Sequence, residues 1–248
     1  MPQSRFAAVF FDAGFTLVDL VTPVVEVYLG AARDLGAELD ASAFGQALKR
    51  HWARLEDDHR KKQTDYRSSE EFERSAWRGF TGGLADEFPT LAERHGDWHS
   101  RLVKHFDDPS AWRPTPFALE TLRTLQANGV RMAVVSNWHS ALPPILAALG
   151  FSPCFEFILT SAAAGRKKPH REIFDQALAR LGVDAGETAH VGDSWADDVQ
   201  GAISAGLTPI YLHRVAAPPP PDPGVHIIRC LSELPNIVAN QSELSTNH

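Results

Sequence analysis

Four short clusters hold the side chains able to do chemistry. Asp12 ends the apolar run Ala8-Val9-Phe10-Phe11 and is followed by the turn Ala13-Gly14-Phe15-Thr16. A carboxylate just past a strand can be a nucleophile, a metal ligand or both, and it can equally be a turn cap. Ser136-Asn137 follows the run Ala133-Val134-Val135; a hydroxyl and an amide there can hold an anionic group above Asp12, or form an ordinary turn. Lys167-Lys168-Pro169 precedes a helical pattern, and a lysine there can neutralise phosphate charge or lie in a solvated loop. Spacing alone does not choose between Lys167 and Lys168. Gly192-Asp193-Ser194 leads on to Asp197 and Asp198, a grouping of hard oxygen ligands suited to Mg²⁺. Acidic residues also stabilise a helix N-terminus.

The elements that must position these groups follow from hydrophobic patterning. Short Val-, Ile- and Phe-rich runs at Ala7–Phe11, Arg131–Val135, Phe155–Leu159, Thr188–Val191 and Pro209–Leu212 predict buried parallel strands, with Val225–Ile228 at an edge. Helical patterns at Phe117–Asn128, Ala141–Leu149 and Arg171–Leu181 each end at a glycine. Strands and helices alternating in this way predict an α/β fold with a doubly wound, Rossmann-like parallel sheet. Ligands of such sheets bind past the carboxyl ends of the strands, where all four clusters fall. The interval 18–109 is different: it has amphipathic stretches, three tryptophans and no clear strand, and predicts an inserted helical domain. The core is then expected over 1–17 and 110–239, with the sheet resuming at Trp112–Pro116. Residues 218–223 read as a stiff proline-rich loop and 240–248 as a frayed tail.

Composition narrows the function. A formal charge of −7 and the lack of a long basic block argue against nucleic-acid binding. No apolar run approaches a membrane span, no signal peptide is evident, and Cys154 and Cys230 fit neither a metal site nor a disulfide framework. A reduced cytoplasmic setting is the expectation. The mixed charges of residues 49–74 suit a solvated helix face.

With the clusters in this order, the whole chain resembles the haloacid dehalogenase-like hydrolase superfamily. Asp12-Ala13-Gly14-Phe15-Thr16 is similar to its motif I, Ser136 to motif II, Lys168-Pro169 to motif III, and Gly192-Asp193 through Asp198 to motif IV. Residues 159–165 and 190–202 look closest to its domain-containing protein 3 branch. The resemblance implies a helical C1 cap, with Asp12 as the nucleophile that forms a phospho-aspartate. It implies Mg²⁺ held by Asp12, the Gly14 carbonyl and Asp193, supported by Asp198 or, as substitute, Asp197. Ser136, with Asn137, and Lys168 would hold the phosphoryl group of a small phosphorylated metabolite. A monomer or homodimer is expected.

One position departs from the family's phosphatases. Two residues after the nucleophile they carry a second aspartate, a general acid and base; here it is Gly14. Losing such a group typically costs roughly 10²–10⁴-fold. Slow turnover, or a leaving group that needs little protonation, is therefore expected. Candidate substitutes are Asp19, His139 and His170. Two other hydrolytic readings stand lower: a haloacid dehalogenase, which Asp193 and Asp198 oppose, and a phosphonatase using Lys49, Lys61 or Lys62. A weak relative that only binds a phosphorylated ligand or a protein is the non-enzymatic alternative.

Overall fold

The computed structural model describes residues 4–62, 66–216 and 222–239, with side chains of 55–62 excepted. The expected tail, most of the expected proline-rich loop, and the side chains of Lys61 and Lys62 lie outside the described residues.

Strand β1 (Ala8–Phe11) is followed by the short β2 (Val18–Leu20). Five helices come next: α1 (Val24–Arg33), α2 (Ala41–Lys62), α3 (Glu70–Ala85), α4 (Pro89–Ala92) and α5 (His95–Asp107). The chain returns through β3 (Trp112–Pro114), α6 (Ala118–Ala127), β4 (Arg131–Ser136) and α7 (Leu142–Ala148). Then come β5 (Ile158–Thr160), α8 (Ser161–Ala164), α9 (Arg171–Leu181) and β6 (Thr188–Gly192). A π-helical turn (Trp195–Val199), α10 (Gln200–Ala205), β7 (Thr208–Leu212), β8 (His226–Ile228) and α11 (Leu234–Val238) complete it.

Six strands form one sheet in the order β5-β4-β1-β6-β7-β8, every neighbouring pair parallel. This is the expected doubly wound α/β architecture, with β8 at the edge. Two apolar clusters cover opposite faces of the sheet, as alternation along β1 requires: Val9 and Phe11 enter one, Ala8 and Phe10 the other. The expected helices end where their glycines allow. Gly129, Gly150 and Gly182 take the left-handed backbone with φ of 77°, 83° and 67°.

Three expectations need correction. The strand expected over Phe155–Leu159 is Ile158–Thr160, because a 3₁₀ turn at Ser152–Cys154 delays the extended chain. Interval 18–109 does contain a strand, β2, which exists only by pairing antiparallel with β3, Val18 opposite Pro114. The chain at Trp112–Pro114 accordingly does not rejoin the large sheet; it forms this separate two-stranded ribbon. A three-residue strand whose partner lies some ninety positions away leaves no local periodicity to read.

The helices between Val24 and Asp107 have an apolar cluster of their own. Tyr28, Phe44, Leu84, Leu91, Trp98 and Leu102 are fully buried in it. The Trp98 indole N–H donates to the Tyr28 carbonyl at 3.1 Å and meets the Tyr28 ring edge-on. Trp98→Ala is expected to destabilise this helical unit by about 3–5 kcal/mol, the usual cost of emptying a large core site. Urea unfolding followed by circular dichroism measures it, and a loss under about 1 kcal/mol would contradict the packing.

Candidate active site

The sheet order makes β1 central, so the loops after β1, β4 and β6 emerge side by side at its carboxyl edge. The Asp12 N–H donates to the Val191 carbonyl at 2.9 Å, carrying the ladder one residue past β1 and fixing the carboxylate above the sheet. The turn that follows is tied by Leu17 and Val18 N–H groups, both donating to the Ala13 carbonyl. Among the described residues no main-chain bond ends on the Gly14 carbonyl, so it is available to a ligand.

Lys168 is the hub. Its ammonium is buried and donates to Asp12 Oδ1 at 2.6 Å and to Asp198 Oδ1 at 2.5 Å. The choice left open between the two lysines falls to Lys168. Burial opposes its charge, but Asp12 and Asp198 outweigh this and raise its pKa above that of a free lysine. Asn137 holds the lysine's peptide from both sides: Oδ1 accepts from the Lys168 N–H at 2.8 Å, and Nδ2 donates to its carbonyl at 3.1 Å. The amide expected to meet substrate is thus spent on the lysine loop. Ser136 is buried at the end of β4, and its hydroxyl has no hydrogen-bond partner among the described residues.

Asp198 is equally engaged. Oδ1 also accepts from His190 Nε2 at 2.9 Å, and Oδ2 accepts from the Ser194 N–H at 2.9 Å. Burial would raise its pKa, yet Lys168 and His190 hold it below the usual carboxylate range. Gly192 makes room for it: a Cβ there would stand 2.1 Å from Asp198 Cγ. Asp193 accepts from Thr16 Oγ1 at 3.3 Å, and burial together with the charges of Asp12 and Asp198 pushes it up to about 8. Asp197 is raised to about 6, mainly by burial, and lies 3.5 Å from the Asn137 amide. Burial also drives Asp12 upward against the pull of Lys168.

Oxygens of Asp12, Asp193 and Asp198 lie within 4.8 Å of one another. Several carboxylates so close, with one buried lysine among them, leave excess negative charge that a divalent cation would neutralise. Beside Asp12, Asp193 and the Gly14 carbonyl offer open oxygens; those of Asp198 already have protein donors.

The three candidate substitutes for the missing acid have other duties. Asp19 forms a bidentate pair with Arg214 at 3.0 Å, and that guanidinium also donates to the Phe15 carbonyl. His170 caps α9, its Nδ1 accepting from the Glu172 N–H. His139 Nδ1 accepts from the Ala141 N–H, its Nε2 lies 3.6 Å from Asp107, and burial lowers its pKa.

The helical unit reaches the same edge. Ser68 N–H donates to the Gly165 carbonyl at 3.1 Å, and Lys167 N–H to the Tyr66 carbonyl at 2.9 Å. Glu70 accepts from the Ser140 N–H and hydroxyl, and Glu73 from the Ser68 and Ser161 hydroxyls. Sequence reasoning passed over Thr16, Trp138 and the contact of His190 with Asp198. A histidine inside an otherwise apolar buried strand was the available signal for the last.

The family model for a haloacid dehalogenase-like hydrolase matches residues 6–206. The chain belongs to that family and is a hydrolase. It is 32% identical over 238 residues to haloacid dehalogenase-like hydrolase domain-containing protein 3 of Bos taurus, covering 90% of each chain. Over 136 residues it is 32% identical to a glyceraldehyde 3-phosphate phosphatase of Methanocaldococcus jannaschii, 52% of this chain and 58% of the relative. The magnesium-bound putative HAD-hydrolase YfnB of Bacillus subtilis shares the fold, with a TM-score of 0.72 at 22% identity over 94% of this chain and 99% of that one. Among the described residues of this HAD hydrolase, no helix is long and apolar enough to cross a membrane.

Asp193 gives a pH-dependent signature. Its pKa is raised in the fold, so its burial costs nothing while it is protonated below about 4. The cost grows as pH rises toward about 8, the value reached in the fold. The metal-free HAD hydrolase should lose more thermal stability between pH 5 and pH 8 than its Asp193→Asn variant. Calorimetric Tm values checks this; parallel pH profiles would refute it.

Proposed function

We propose that this hydrolase is a Mg²⁺-dependent phosphatase of a small phosphorylated metabolite, working through a phosphorylated Asp12. The observation that carries the reading is the Asp12–Lys168–Asp198 bridge at the centre of the sheet edge. Lys168 takes Asp12 Oδ1 and leaves Oδ2 without a partner among the described residues, which suits it to in-line attack on phosphorus. The phosphatase name of the archaeal relative supports the same reaction class.

Asp12, Asp193 and the Gly14 carbonyl would hold the metal, with Asp198 supporting them through Lys168. When bound, Mg²⁺ supplies positive charge to the phosphoryl oxygens. The chain does the rest. Lys168 presents its ammonium to the transferring group, and the buried Ser136 hydroxyl donates to a phosphoryl oxygen. Asn137 keeps Lys168 in register. The helical unit acts as a cap, joined to the core at Tyr66–Ser68, Glu70 and Glu73, that shields the site from water and reads the leaving group. The protein is proposed to act as a monomer or a homodimer.

Phosphate release from a panel of phosphorylated metabolites, with and without Mg²⁺, tests the reading. Metal-dependent release is expected, and Asp12→Asn should lower it by at least about 10³-fold, because removing the nucleophile removes the covalent route. Folded protein that binds Mg²⁺ yet releases no phosphate above the Asp12→Asn blank would instead favour a binding role.

A further inference from the structure

We propose that Trp138 selects the leaving group. Its indole fills the space beside Gly14 from which an acid could reach a departing oxygen. The site then favours phosphoryl donors whose leaving group departs without a proton, namely acyl and aryl phosphates, over alkyl esters. This rests on the aspartyl-phosphate reading and adds the substrate class to it.

The glycine is there for space. Gly14 does not have a positive φ, so its backbone makes no demand that only glycine meets. A Cβ on it would lie 3.2 Å from Trp138 Cζ3, closer than a side chain comfortably sits, so the ring would have to give way. The ring itself is braced. It packs against Trp112 of β3 with centroids 5.0 Å apart, and its main chain bonds to Ser161 through both N–H and carbonyl. Gly14 lies two residues beyond Asp12 and Trp138 two beyond Ser136, on loops from adjacent strands. The indole therefore stands at the nucleophile's end of the sheet. With Asp19, His139 and His170 bonded elsewhere, an aromatic wall stands beside the position and brings no acidic proton.

The chemistry balances without an acid. Asp12 Oδ2 bonds to phosphorus as the bond to the leaving oxygen breaks, and that oxygen departs with the electron pair as a stabilised anion. Water then bonds to phosphorus, the pair of the breaking bond returns to the Asp12 carboxylate, and the water proton passes to a phosphoryl oxygen. The product is dihydrogen phosphate.

The test compares kcat/KM for acetyl phosphate, p-nitrophenyl phosphate, phenyl phosphate and glycerol 3-phosphate in the Mg²⁺-loaded protein. The rate should fall by at least about 100-fold from p-nitrophenyl phosphate to glycerol 3-phosphate, on the scale of a missing general acid. Gly14→Asp alone should leave that dependence steep. Gly14→Asp combined with Trp138→Ala, or with the milder Trp138→Phe, should raise glycerol 3-phosphate turnover by about tenfold or more and add an acid limb to the pH profile. A second readout needs no turnover: Gly14→Ala should lower the metal-free Tm beside Trp138 but not beside Trp138→Ala. The inference is overturned by equal rates across the series, by Gly14→Asp sufficing alone, by additive Tm effects, or by a dependence that steepens in Asp197→Asn and so locates an acid there. Release that survives Asp12→Asn would sink the aspartyl-phosphate reading instead, while the Tm cycle would still judge the packing of Gly14 against Trp138.

Discussion

Everything at the sheet edge depends on one buried ammonium. Lys168 holds Asp12 and Asp198 together in a place where two carboxylates would otherwise repel and be driven to protonate. Burying ions is costly, and the cost is offset only when each has close partners and its remaining donors or acceptors are met. Around Asp198 they are, through His190 and the Ser194 N–H, and the Lys168 peptide has both ends of the Asn137 amide, while Asp12 Oδ2 is left open. The three loops and the π-helical turn that converge on the edge are in this sense one electrostatic assembly. The turn belongs to it because Asp198 and Val199 N–H groups both point back to the Ser194 carbonyl.

That assembly also separates two tasks for acidic residues of similar sequence appearance. Asp198 faces donors on both oxygens and is fixed in its charged form. Asp193, five residues earlier, has one long bond from Thr16 and is destabilised as an anion. The first serves as scaffold; the second is in want of a counter-ion. Environment makes this distinction, and residue type does not.

Much of this was legible from the chain. The core strands show as dense apolar runs because both faces of a parallel sheet are covered, and glycines mark three helix ends through a backbone requirement that is local. Asp12, Ser136, Lys168 and Asp193 each follow or border such a signal. What escaped depends on through-space partners. The ribbon of β2 and β3 is held by residues far apart in sequence. Asn137 reads as a polar group at a strand end, and nothing local says that its amide points at a lysine peptide. Trp138 reads as one aromatic among many until Gly14 is placed beside it.

The junction between helical unit and core has a mechanical side. The carbonyl of Tyr66 is bonded to the N–H of Lys167, one peptide from the lysine that binds Asp12. The helical unit and the buried lysine are thus tied through neighbouring main-chain groups. A displacement of Tyr66 would pull on the peptide beside Lys168, so the junction and the hold on Asp12 share one lever.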